Sequence, residues 1–143
     1  MSIVDELVAK RAARREAEKG QQEVQAAKDL AAIVALEETM GSLRYITPPE
    51  YRSGVVTVAA FRPATRSEYK RLCDMISRAR FSEKNTGDLT RKAQDMFGEA
   101  CLVYPPPGAD REALFDAFPG TLISVALAAE KLAVLASEDE GKD

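Results

Sequence analysis

The groups that could do chemistry in this chain are few and poorly placed for it. Histidine is absent from all 143 residues, which removes the ordinary general base near neutral pH, the commonest imidazole metal ligand and every Ser-His or Cys-His pair. Two cysteines remain, Cys73 and Cys101, 28 positions apart. Both fall on or beside apolar helix faces, where a thiol behaves as an inert small hydrophobe. The acidic run Glu138-Asp139-Glu140 could attract a hard cation, but it lacks the glycine turn and the staggered carboxylates of a calcium cage. There is no Gly-rich phosphate loop, no His-Glu-x-x-His and no Cys-x-x-Cys. The reading is a protein without catalytic residues, cofactor or metal. The chemistry left is ionic: Arg62, Arg66, Lys70, Arg71, Arg78, Arg80 and Lys84 crowd one segment, where cations could neutralise phosphates or face an acidic protein surface.

The charge balance sharpens that choice. The net charge of -3 divides into -1 over residues 1–61, +5 over 62–92 and -7 over 93–143. Such asymmetry fits ordered self-association of a basic middle with an acidic end, or a basic site for an anionic partner, or simply solvated helix faces that differ in sign. Arg66, Lys70 and Arg78 are the candidate electrostatic contacts. The chain has the length of one domain with a modest core. Hydrophobic residues make up 45%, aromatic residues only 6%, and Trp is absent, so the core must be built from Ala, Leu, Val and Ile. No secretory signal or long apolar run is evident, and two cysteines make no disulfide framework, which suggests a reduced cytosolic setting.

These side chains have to be positioned by a mainly helical α+β fold. From Ser2 to about Met40 good helix formers dominate without a Pro, predicting one long helix, or two broken near Gly20, as a charged arm over residues 1–40. Its apolar positions form one stripe at Ile3, Val4, Leu7 and Val8 and another at Val24, Ala27, Leu30, Ala31 and Val34, while Lys10 to Gln22 is polar nearly all round. Gly41 ends it. Leu43 to Ile46 and Val55 to Phe61 read as strands of a small antiparallel hairpin or meander, separated by Pro48-Pro49 and the turn chemistry of Arg52-Ser-Gly54. A sheet of that size needs a helix across it.

A cluster of four short helices follows within a globular unit over residues 41–136. Thr65-x-x-Glu68 is a capping box opening a helix over 66–80, with Tyr69, Leu72, Cys73, Ile76 and Ala79 on one face. Asp88 is placed to cap a second helix carrying Leu89, Ala93, Met96, Phe97 and Ala100. Pro105-Pro-Pro-Gly108 is a hard break, Asp110 is placed to cap a third helix, and Thr121 a fourth that is apolar on most of its circumference as far as Ala136. Residues 137–143 read as a disordered acidic tail. The last helix and the Leu114/Phe115/Phe118 cluster are either core or a surface completed by another subunit or a client helix. The candidate client-binding residues are Leu114, Phe115, Phe118, Leu122, Val125, Ala129 and Leu132.

Four segments taken together are similar to the pattern of one known family. A short β element runs through Arg62-Pro-Ala-Thr-Arg-Ser-Glu-Tyr-Lys-Arg-Leu72 into a helix. Leu102-Val-Tyr-Pro105 comes next, then Glu112 to Pro119 and the terminal helix from Leu122 to Ala136. Over residues 44–136 this pattern resembles the small tail assembly chaperones of long-tailed bacteriophages, and the charged arm departs from it. The resemblance implies a non-catalytic homo-oligomer that coats the long, helical, aggregation-prone tape measure protein, with the major tail protein as a further partner. It would act in the cytoplasm of the infected host cell and be absent from the mature virion. The rival readings are a small nucleic-acid-binding regulator using the basic 62–92 segment and a structural connector subunit of the virion.

Overall fold

The computed structural model describes residues 2–82 and 84–141, with side chains as far as Leu135. Among these residues the chain is mainly helical with one small three-stranded antiparallel sheet. The order is α1 (Ile3–Met40), β1 (Arg44–Ile46), β2 (Ala59–Phe61), α2 (Arg66–Arg80), α3 (Thr86–Cys101), β3 (Leu102–Tyr104), α4 (Ala109–Ala117) and α5 (Thr121–Gly141).

Helix α1 is a single unbroken helix of 38 residues, about 57 Å long at 1.5 Å per residue. Ser2 and Asp5 form a reciprocal capping box at its start, and Asp5 and Glu6 place negative charge where the macrodipole favours it. Gly41, with φ of 80°, closes the other end by donating its N–H to the Glu37 carbonyl. Gly20 does not interrupt the helix. Only Asp29 and Ile33 of α1 are buried, and residues 3–17 are exposed all round.

The sheet order is β1-β2-β3, so β1 keeps one free edge. Strand β1 pairs with β2 in the register Arg44↔Phe61, Tyr45↔Ala60 and Ile46↔Ala59, and the β2–β3 register shifts between Ala60 and Phe61. Two strand expectations change. The ladder in the second strand begins only at Ala59, because the Asp29 carboxylate takes the Thr57 N–H at 2.7 Å and its hydroxyl at 2.5 Å, and the chain from Val55 to Val58 is irregular. A third strand, β3, follows α3 with no intervening turn residue.

Arg62, directly after β2, ties three elements together. Its guanidinium donates to both Glu68 oxygens at 2.7 Å and to the Ala100 carbonyl at 2.7 Å, and its backbone N–H donates to the Cys101 carbonyl. Glu68 also completes the expected capping box with Thr65. Three other expected caps are corrected. Helix α3 begins at Thr86 and α4 at Ala109, so Asp88 and Asp110 lie inside the first turn, where they still favour the macrodipole. Thr121 is the first residue of α5, and its hydroxyl donates to the Phe118 carbonyl at 2.7 Å instead of capping an N–H.

The core is rich in alanine and short aliphatics, as a Trp-free composition requires. Ile33, Leu43, Val55 and Val56 join the sheet residues Ala59, Ala60, Phe61, Leu102 and Tyr104, together with Leu72, Ala93, Phe97, Leu114, Val125 and Ala129 of the helices. Helices α3 and α5 pack tightly at Gly98, where an added Cβ would lie 2.3 Å from the Leu122 carbonyl oxygen. Helix α5 continues past Ala136 to Gly141, through the first five residues of the expected tail; residues 142 and 143 lie outside the described residues.

Candidate client-binding surface

Helix α5 has more apolar circumference than one core contact can cover. Val125, Ala126 and Ala129 are fully buried, whereas Leu127 and Leu135 are 51% and 46% exposed and Leu122, Ala128 and Leu132 are half-buried. The half-covered side forms an apolar groove with β1 and β2, lined by Leu43, Tyr45, Phe61, Ala128, Leu132 and Leu135, with a volume of about 510 Å³. Arg44 and Lys131 are the charged members of its wall.

A second groove of about 350 Å³ sits at the α4–α5 corner, lined chiefly by Ile46, Pro48, Ala59, Ala117, Phe118 and Thr121. The Arg52 guanidinium lies 5.4 Å from the centre of the Phe118 ring, close enough for a cation–π contact. The two grooves take β1 and its following prolines in chain order and α5 in reverse order. Their polar needs are low: the Tyr45 hydroxyl that borders the first is already held by Glu37 at 2.8 Å.

The seven expected client-binding residues divide between core and groove. Leu114, Val125 and Ala129 are at 0% exposure and serve as core, because α4 and α5 turn these positions inward at helical spacing. Phe118 and Leu132 line the grooves, and Phe115 and Leu122 are half-buried beside the core. The walls contributed by Leu43, Tyr45, Ile46 and Pro48 were missed in the sequence. Their signal was an apolar strand next to a proline pair, which reads equally as a plain core strand.

The expected electrostatic contacts Arg66, Lys70 and Arg78 are all exposed on α2 and make no ion pair among the described residues. Asp74 sits one helical turn from both Lys70 and Arg78, so the row is not continuously basic. Arg62 belongs to the fold, since Glu68 occupies its guanidinium.

Buried polar groups outside the grooves are matched to partners. Asp29, 1% exposed, accepts from Gln25, from the Thr57 backbone and hydroxyl, and from the Tyr104 hydroxyl, which pins α1 to the domain. Burial, then the Asp29 carboxylate, pushes the Tyr104 phenol well above its usual range, so it stays a proton donor. Arg111 donates to the Pro105 and Leu102 carbonyls, and burial lowers its pKa. Cys101 is buried and its thiol is pushed up to about 11, chiefly by desolvation, which leaves it protonated and unreactive. Cys73 is exposed, not in the core as expected, because the buried stripe of α2 runs through Leu72 and Ala79 and leaves position 73 at its margin. No cluster of three or more Cys, Asp or Glu suited to a metal occurs among the described residues. No single helix there is long and apolar enough to cross a membrane. The chain matches no protein-family model, no curated protein and no solved structure.

Proposed function

We propose that this protein is a non-catalytic tail assembly chaperone that holds apolar helical segments of a tape measure protein until tail subunits enclose them. The observation that carries the reading is the pair of apolar grooves along α5 and β1. Each presents aliphatic and aromatic walls with few polar demands, which suits the apolar face of a helix better than a polar small molecule. The segment pattern shared with that family over residues 44–136 supports the same reading. A client of this kind collapses or aggregates while its apolar stripes are exposed, and a partner that covers them reversibly prevents it. The setting proposed is the cytoplasm of the infected cell, with the chaperone left behind when the tail is complete.

The test is co-expression with the tape measure protein encoded in the same genome. Leu132→Glu and Leu135→Glu each place a charge in the first groove, where desolvating it without a partner costs on the order of 2 kcal/mol or more. Leu135 is nearly half exposed, so the second variant keeps its core intact. Recovery of client should fall at least tenfold with an unchanged circular dichroism spectrum. Wild-type recovery by both folded variants would sink the assignment of this surface.

A further inference from the structure

Helix α1 is amphipathic on two opposite sides, and the domain covers only one. The side that meets the domain carries Gln25, Asp29, Ala32, Ile33 and Leu36, all buried or half-buried. At 100° per residue the opposite side carries Ala17, Gly20, Val24, Ala27, Ala31 and Val34, and every one of these is exposed, Val24 at 60% and Val34 at 48%. Their spacing alternates 3, 4, 3, 4, 3, the a/d repeat of a two-stranded coiled coil, over about 27 Å of helix. With Ala17, Val24 and Ala31 at a, the domain-facing residues fall at b, c and f, the outer side of such a pair.

The flanking charges say what covers this seam. Positions g carry Glu16, Glu23 and Leu30, and positions e carry Arg14, Gln21, Lys28 and Ala35, all exposed. In a parallel pair each g residue meets the e residue five positions on in the other chain, so Glu23 faces the second copy's Lys28, while Gln21 at e already accepts from the Ser53 hydroxyl of its own chain. An antiparallel pair would set g against g and e against e, and so would keep Glu23 from the second copy's Lys28. Gly20 fits the same picture. A glycine inside an exposed helix is unfavourable relative to alanine, and a Cβ there would meet nothing within 4 Å of this chain, so the single copy gives no reason for it. A second helix packed on a seam of small residues does. The loop around Tyr51 and Ser53 stands beside the seam and leaves an open groove of about 510 Å³ along Ala17, Gly20 and Val24.

We infer that α1 pairs with α1 of a second copy as a parallel coiled coil through this seam, with the two globular units on opposite outer sides. The interface is isologous, as two-fold symmetry requires. It lies on α1 and leaves the α5 grooves free, so it stands apart from the client-binding reading. Sedimentation equilibrium of the full chain should give twice 15.6 kDa. Val24→Glu should return the mass to one chain without loss of helical signal. Glu23→Lys should weaken the dimer at least tenfold and Glu23→Lys with Lys28→Glu should restore it. In a Cys73→Ser background, Ala17→Cys should form a disulfide between copies, because a parallel pair sets position 17 beside its own equivalent. A monomer at high micromolar concentration overturns the inference. A dimer indifferent to Val24→Glu overturns it too, since copies would then meet elsewhere. Failure of both the charge swap and the Ala17 cross-link rules out the parallel register.

Discussion

At the scale of single residues, the basic segment divides: Arg66, Lys70 and Arg78 stay exposed with no ion pair among the described residues, whereas Arg62 is taken up by Glu68 and helps hold the chain together. The Arg62 guanidinium, and then the Thr65 backbone N–H, hold the Glu68 carboxyl at about 2, below its usual 4.5. The unfolded chain therefore takes up this proton first as pH falls. Stability from the pair is complete above pH 4.5 and is lost between about 4.5 and 2. The two side chains are 29% and 24% exposed, so solvent screening reduces the effect to on the order of 1 to 2 kcal/mol. Urea titrations of wild type and Glu68→Gln should differ by that amount at pH 7 and converge near pH 2. A gap that persists unchanged at pH 2 would show that the carboxylate charge is not the source. The Thr65/Glu68 box was legible from spacing alone, because capping is a local backbone matter. Arg62's pairing with it was not, since that depends on β2 delivering the guanidinium to the start of α2. Asp29 was hidden for the same reason: its partners Thr57 and Tyr104 are 28 and 75 residues away.

At the scale of elements, helical period and breakers placed all five helices, while the strands were harder to read. Strand β3 escaped because Cys101 ends α3 and Leu102 starts the strand with no glycine, proline or polar turn between them. A three-residue strand has too little alternation to announce itself. The α3–α5 contact was equally silent in the sequence, since a lone glycine inside a helix reads as a mild defect. In the fold it is the point where two backbones meet. Gly98→Ala puts a methyl group 2.3 Å from a backbone oxygen that cannot rotate away, so one helix has to shift. Overpacking of that kind costs about 1 to 3 kcal/mol, and thermal unfolding should move down by several degrees. An unchanged midpoint would mean that the two helices are looser at Leu122 than the structure has them. The grooves beside α5 come from the same limited fit: α3 and the sheet cover one side of an almost wholly apolar helix, and Leu127, Leu132 and Leu135 are left over.

At the scale of the whole molecule, the distribution of charge bears on the choice between the proposed protein client and a nucleic acid. The +5 of residues 62–92 could anchor a polyanion only if its cations formed a continuous track. Glu68 takes Arg62 out of it, Asp74 interrupts it between Lys70 and Arg78, and the -7 of residues 93–143 belongs to α3, α4 and α5, two of which pack against α2. A duplex laid on α2 would also feel the field of that acidic half, which opposes a polyanion. Fluorescence anisotropy with a short duplex should therefore show no binding at about 0.15 M salt, in wild type and in the Arg66→Ala/Lys70→Ala/Arg78→Ala variant alike. Phosphate contacts would announce themselves as a log–log salt slope of about -0.9 for each one neutralised, flattened in the triple variant. Submicromolar binding with that slope would displace the client reading in favour of a nucleic-acid regulator, because the α5 grooves have no part in phosphate recognition. The opposite pattern, salt-insensitive capture of an apolar helix that survives the triple variant and is lost in Leu135→Glu, follows if dispersion and apolar burial along α5 supply the affinity and the basic face supplies solubility.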